Sequence, residues 1–203
     1  MIIREVGKKE KNIIKQVVNI HLDTFKGFFL TFMGKGFLRH MYQAYTMHES
    51  SRLLIAEDQG KVIGFLAYSS ALSGLYKYML KKRLLAFAWY SLGAFIRRPK
   101  IFMRLIRAFL KPSESAREEK YVKLTSIGVS PSEKTKGVGS KLLDEMKKLI
   151  DFSEYAYISL ETDAEDNEIA NKFYLKNGFK FIEEYETKEG RKMNEYRYYW
   201  EKV

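Results

Sequence analysis

The sequence predicts an α/β (α+β) domain built on a mixed sheet, and three observations carry that prediction. Strand-length apolar runs and helix-period stripes share the 203 residues from end to end. Two of the runs, within Arg52 to Tyr68, flank Asp58-Gln59-Gly60 and read as a β-hairpin. Strand–helix–strand units follow later, and hairpin strands combined with such units mean a mixed sheet.

The elements follow in order. Ile2 to Val6 is a short first strand. Lys9 to Asp23 is a helix, with Ile13, Val17, Ile20 and His21 near helical spacing. Met33, Phe37, Met41 and Tyr45 form an i, i+4 stripe, while Gly34 and Gly36 interrupt its start, so a turn of helix precedes a longer one. After the hairpin comes Ala71 to Pro112, read as two or three helices. Tyr121 to Val129 is a central strand closed by Pro131. A glycine loop leads into a helix ending near Ile150. Val138, Leu142, Met146 and Ile150 line the buried face of that helix, and Lys141, Glu145 and Lys148 the other. Tyr155 to Asp163 is a strand. Asn167 to Phe179 is a helix with Asn167 as its cap, ended by Asn177-Gly178. Two last strands surround Glu189-Gly190.

The chain length suits one ordinary domain, or one domain with a large insertion. There are no cysteines, which excludes disulfides and thiolate metal sites and points to a cytoplasmic protein. The N-terminus, MIIREVGKKEKN, has no apolar run of signal-peptide length. His21, His40 and His48 lack metal-ligand spacing, so no metal is expected. The net charge of +11 is concentrated: Ala71 to Pro112 holds ten basic residues and no acidic one, and the remainder is close to neutral.

In the stretch KTKGVGSKLL, Gly137 and Gly139 stand where a strand turns into a helix, flanked by Lys134 and Lys136. A helix N-terminus offers unpaired N–H groups and the positive end of the helix dipole, and glycines let an anion come close. Neither the dinucleotide fingerprint nor the P-loop is complete here. A solvated turn with two permissive glycines is the plain alternative. Downstream lies a second pattern, Asn167-x-x-Ala170-x-x-Phe173-Tyr174-x-x-x-Gly178-Phe179.

With both patterns in this order, the sequence resembles the GNAT superfamily of acetyl-CoA-dependent N-acetyltransferases. The match is close over about Tyr121 to Val203. Lys134 departs from the Arg or Gln that usually opens the loop. The resemblance implies a mostly antiparallel central sheet of about six to seven strands flanked by helices. It implies one acetyltransferase domain over 1–203, interrupted by a basic helical insertion at 71–118. It implies acetyl-CoA as acyl donor and transfer to the primary amine of a small-molecule or sugar-linked acceptor by direct attack in a ternary complex.

Residue by residue, the resemblance implies that Lys134, Thr135, Lys136, Gly137, Val138, Gly139 and Ser140 hold the pyrophosphate of coenzyme A. Ile127 and Val129 would pair with the pantetheine arm, and the Val129 N–H would polarise the thioester carbonyl. Gly128 suits a bulge where the two strands part. Asn167 and Phe173 would face the cofactor arm. Tyr174 matches the usual general acid; as a plain core aromatic it needs no such role. Many relatives carry Glu where this chain has Thr125, so Glu161 on the neighbouring strand is the substitute base. A non-catalytic protein, sensing acyl-CoA or docking on membrane or nucleic acid, is the rival reading.

In the insertion, Leu84 to Ile96 is uncharged but too short to span a membrane. Beyond it, Arg104, Arg107 and Lys111 form a basic face opposite Ile101, Phe102, Leu105 and Phe109. Residues 97–111 suit an anionic membrane surface or an anionic acceptor, more than they suit nucleic acid. Equally, the apolar residues could pack on the domain or in a homodimer and leave the basic ones solvated.

Overall fold

The computed structural model describes residues 1–26, 29–97, 119–187 and 190–200. Seven strands form one sheet: β1 (Ile2–Glu5), β2 (Ser51–Asp58), β3 (Lys61–Ser69), β4 (Tyr121–Val129), β5 (Tyr157–Asp163), β6 (Lys180–Glu186) and β7 (Lys192–Tyr198). Their spatial order is β1-β2-β3-β4-β5-β7-β6. Only β4 and β5 run parallel; every other neighbouring pair is antiparallel. The mixed, mostly antiparallel sheet flanked by helices is the predicted architecture.

The β2–β3 hairpin closes where expected. Gln59 and Gly60 both take positive φ, 48° and 77°, as a two-residue turn matched to strand twist requires. The helices are α1 (Lys11–Thr24), α2 (Phe29–Phe32), α3 (Gly34–Tyr45), α4 (Leu72–Arg97), α5 (Val138–Leu149) and α6 (Glu168–Lys176). Gly34, at φ 85°, makes the break between α2 and α3.

Each sheet face carries its own core. On one, Ile14, Val17 and Val18 of α1, Leu38 and Met41 of α3, and Leu75 and Met79 of α4 bury against Leu53, Ile55 and Phe65. On the other, Val138, Leu142 and Met146 of α5 and Tyr174 of α6 bury against Leu66, Val122, Leu124, Ile158 and Leu160. Gly64 sets how closely α5 approaches: a Cβ there would lie 2.9 Å from the Val138 side chain and 3.3 Å from that of Leu142.

The first part of the basic segment is helical, as expected. It is one 26-residue helix, Leu72–Arg97, which takes in the whole uncharged run from Leu84 to Ile96. No helix of the described residues is long and apolar enough to cross a membrane. The second basic helix expected at Ile101 to Lys111 lies outside the described residues, as does Glu189 of the last turn.

Candidate active site

The sheet splits at its parallel pair. β4 and β5 are joined through Tyr121–Tyr157, Val122–Ile158 and Lys123–Ser159 alone. Both strands continue: β4 stays paired with β3 as far as Val129, and β5 with β7 as far as Asp163. Between residues 124–129 and 160–163 the facing edges therefore have no ladder partner in each other, and the sheet opens as a fork. A bulge begins the divergence. Ser126 pairs with Ala67, but Leu124 pairs with Tyr68, leaving Thr125 as the extra residue, its Oγ1 donating to the Ala67 carbonyl at 2.9 Å.

The bulge thus falls at Thr125, not at Gly128, which sits in regular register with Phe65. Gly128 is small for another reason: a Cβ would lie 2.7 Å from the Phe65 ring. Ser130 donates its N–H to Ile63 on the β3 side. By alternation, the N–H and C=O groups of Val129 and Ile127 point into the fork. The Thr24 hydroxyl donates to the Val129 carbonyl at 3.2 Å.

The glycine stretch lies directly beyond the end of β4. Pro131–Lys136 form a 3-10 turn that contains Lys134, Thr135 and Lys136. Gly137 then takes φ 69°, a left-handed conformation that a side chain resists, and α5 starts at Val138. The Lys141 N–H donates to the Gly137 carbonyl at 3.1 Å. The N–H groups of Val138, Gly139 and Ser140 precede that bond and have no acceptor within the helix. Val138 itself is a core side chain. At Gly139 a Cβ would lie 3.0 Å from the Phe173 ring, so Phe173 closes over this turn from α6.

The two catalytic candidates lie on opposite faces of the sheet. Tyr174 is buried on the α5–α6 face, among Phe173, Phe179 and Tyr196 at ring distances of 5.4, 5.9 and 6.0 Å. Its hydroxyl has no hydrogen-bond partner among the described residues, and burial raises its pKa well above the ordinary tyrosine value, so it stays protonated. Glu161 points to the α1–α3 face, because its neighbour Leu160 belongs to the other core. Lys123 Nζ reaches across from β4 and meets its carboxylate at 2.6 Å, with the two side chains only 14% and 27% exposed.

Asn167 stands at the start of α6 but makes no side-chain cap. It turns back to β5 instead, donating to Thr162 Oγ1 at 2.6 Å and to the Asp163 carbonyl at 3.3 Å. Asn171 joins it there, donating to the same carbonyl at 3.1 Å. The expected ordinary cap is corrected: this asparagine ties helix to strand.

Two groups near the fork were missed by reading the sequence. Glu195 on β7 sits directly opposite Glu161 and is 1% exposed. Arg197 Nε holds it at 2.7 Å and lies over the Tyr157 ring. The available signal was Glu195 and Arg197 two apart, hence on one face, in a strand otherwise rich in aromatics. The second group is a buried chain, His21 Nδ1 to Tyr42 hydroxyl at 2.7 Å and Tyr42 to Ser126 Oγ at 3.3 Å. Burial pushes the His21 imidazole down to about 4, and its Nε2 has no partner among the described residues. Beside it, the Tyr45 hydroxyl donates to Thr125 Oγ1 at 2.8 Å.

A seven-stranded sheet forked at its parallel pair, with a glycine turn and a helix start at the open end, defines the acetyltransferase fold of the GNAT type. The family model of the acetyltransferase (GNAT) family matches residues 14–179, and the chain belongs to that family. Comparison with curated proteins gives no match. Among solved structures it is similar to the ribosomal-protein-alanine N-acetyltransferase of Brucella melitensis, at TM-score 0.61 and 14% identity over 98% of this chain and 100% of that one. It is similar to the Drosophila melanogaster polyamine N-acetyltransferase at TM-score 0.60 and 9% identity, covering 98% and 99%. A Bacillus anthracis chain in complex with acetyl coenzyme A matches at TM-score 0.51 and 17% identity, covering 79% of this chain and 68% of that one. At these identities the likeness concerns the fold.

Proposed function

We propose that the protein transfers an acetyl group from acetyl-CoA to the primary amine of a small-molecule or sugar-linked acceptor, by direct attack in a ternary complex. The observation that carries this reading is the fork itself. Two strand edges with inward-pointing amide groups have no strand partner in each other, the Val129 carbonyl alone being held by the Thr24 hydroxyl, and an extended arm bearing amides would pair with them as an added strand does. The N–H groups between Thr135 and Ser140 fit a phosphate at a helix start. Acetyl-CoA, when bound, supplies the activated thioester.

The chain's own groups divide the remaining work. The amide edges of Ile127 and Val129 orient the arm, and the Val129 N–H faces the carbonyl oxygen on which charge develops. The amine approaches from the α1–α3 face, where Thr125, Ser126, Lys123 and Glu161 form the polar lining. Tyr174, protonated on the opposite face, supplies a proton to the leaving thiolate. Glu161 receives the amine's proton, directly or through water, and doing so dissolves its ion pair with Lys123. Names among the structural neighbours, a polyamine N-acetyltransferase and an aminoglycoside 6'-acetyltransferase, support an amine as acceptor.

A panel of polyamines, aminoglycosides and peptide amines, assayed with acetyl-CoA for free thiol release, tests this. Amine-dependent release is expected for at least one class. Calorimetric binding of acetyl-CoA with no release from any amine would leave a binding protein rather than an enzyme.

A further inference from the structure

Among the described residues, the outward side of α4 has no role in the fold or in the site described above. Its inward side is accounted for: Leu75, Met79 and Phe87 are buried, with the Phe87 ring 4.8 Å from that of Phe37 on α3. On the opposite side Leu85 is 86% exposed and Trp89, one turn on, 74% exposed. A soluble surface rarely spends a leucine and a tryptophan in one stripe without a use. Lys77, Lys81 and Lys82 are exposed on the turns before them. A groove lined by His40, Tyr78, Lys81, Lys82, Leu85 and Ala86 runs alongside.

We propose that this side of α4 docks on an anionic lipid bilayer, with Leu85 and Trp89 entering the headgroup layer and Lys81 and Lys82 meeting lipid phosphates. Charge selects this occupant. α4 contains no acidic residue, nor does the surrounding sequence from Ala71 to Pro112, which carries ten basic ones. A second copy of the chain would bring this cationic strip against itself. Nucleic acid would satisfy the lysines but offers no apolar layer to Leu85. An anionic bilayer satisfies both at once: its phosphates take the lysines, and its interface is where the amphipathic indole of tryptophan settles. The helix lies on the surface, since it is not apolar enough to cross. α4 packs on the α1–α3 face, so docking turns the Lys123–Glu161 side of the sheet toward the lipid.

The chain has two tryptophans, Trp89 and Trp200, so Trp200→Phe leaves Trp89 as the sole reporter. With vesicles of phosphatidylcholine plus phosphatidylglycerol, the expected result is co-sedimentation and a blue shift of Trp89 emission, both weakened by salt. Pure phosphatidylcholine should give neither. Leu85→Glu should abolish pelleting with an unchanged thermal melt, because the residue is exposed. Lys81→Glu with Lys82→Glu should weaken it at least about tenfold. No pelleting at low salt, or pelleting indifferent to Leu85→Glu, overturns the proposal. So does a concentration-dependent dimer that Leu85→Glu dissolves in the absence of vesicle binding, which would make this stripe a chain–chain interface.

Discussion

Tyr174→Phe removes one oxygen from the α5–α6 core and should separate catalysis from stability. The ring contacts with Phe173, Phe179 and Tyr196 survive, because phenylalanine keeps the ring. The hydroxyl gives up no hydrogen bond to any described residue. The hydroxyl is not among the buried polar atoms left without a partner, so removing it neither breaks a protein hydrogen bond nor relieves a stranded group, and the melting temperature should stay close to that of the wild type. The chemical step does respond. A positioned general acid contributes about 10²–10⁴-fold, or roughly 3–5 kcal/mol of barrier. The assay pairs a thermal melt and calorimetric acetyl-CoA binding with kcat from thiol release. Expected are unchanged affinity, nearly unchanged stability, and kcat down at least about 10²-fold. A kcat within a few-fold of wild type would refute the acid role and leave Tyr174 as a core aromatic.

Three further outcomes are expected. Glu161→Gln removes the charge partner of Lys123 in a mostly buried site and should lower both stability and kcat/KM; adding Lys123→Met should restore the melt, since replacing both partners of such a pair is often neutral, while kcat/KM stays low. Recovery of activity in that double variant would remove the base assignment. Gly137→Ala should cost about 1–2 kcal/mol of stability, from its left-handed backbone, yet keep acetyl-CoA affinity, whereas Gly137→Glu should abolish binding in calorimetry. His21 is held neutral at about 4 against an ordinary 6.5, so the unfolded chain binds its proton first as pH falls. Stability from this group is full above about 6.5, is down by about 2 kcal/mol at pH 5, and has gone below 4. Urea midpoints at pH 7 and 5 should show this slope in the wild type and its loss in His21→Phe.

The run from β4 to α6 was legible because each element has its own signature: alternation in Tyr121 to Val129, a four-residue repeat in α5, Asn177-Gly178 at the end of α6. α4 was legible as helix from Ala71 onward but not in its length, because the uncharged run from Leu84 to Ile96 has no stripe to mark where one helix ends and the next begins. The bulge at Thr125 depends on register with β3, which a single strand does not encode. The same holds for the Lys123–Glu161 pair, drawn from two different strands, whereas Glu195 and Arg197 share one strand and only their burial beside Glu161 depends on pairing. Asn167 looked like a cap because its position is right, but its amide nitrogen donates back to Thr162 Oγ1 and to the Asp163 carbonyl, and its oxygen takes no helix N–H. At the glycine turn, Gly137 is needed for its dihedral, but Gly139 is needed for the Phe173 ring, a reason visible only once α6 is docked.

The parallel seam also has a mechanical meaning. β1–β4 and β5–β7–β6 are two antiparallel blocks, and three residue pairs form the hinge between them. The stacked rings of Tyr121 and Tyr157, 5.5 Å apart, and the Lys123–Glu161 bridge act as its pins. Breathing of the protein therefore concentrates along this line, and amide exchange in β5 should run ahead of that in β2 and β3. A ligand laced between the blocks works as a clasp, slowing exchange on both sides of a gap that the protein leaves unfastened.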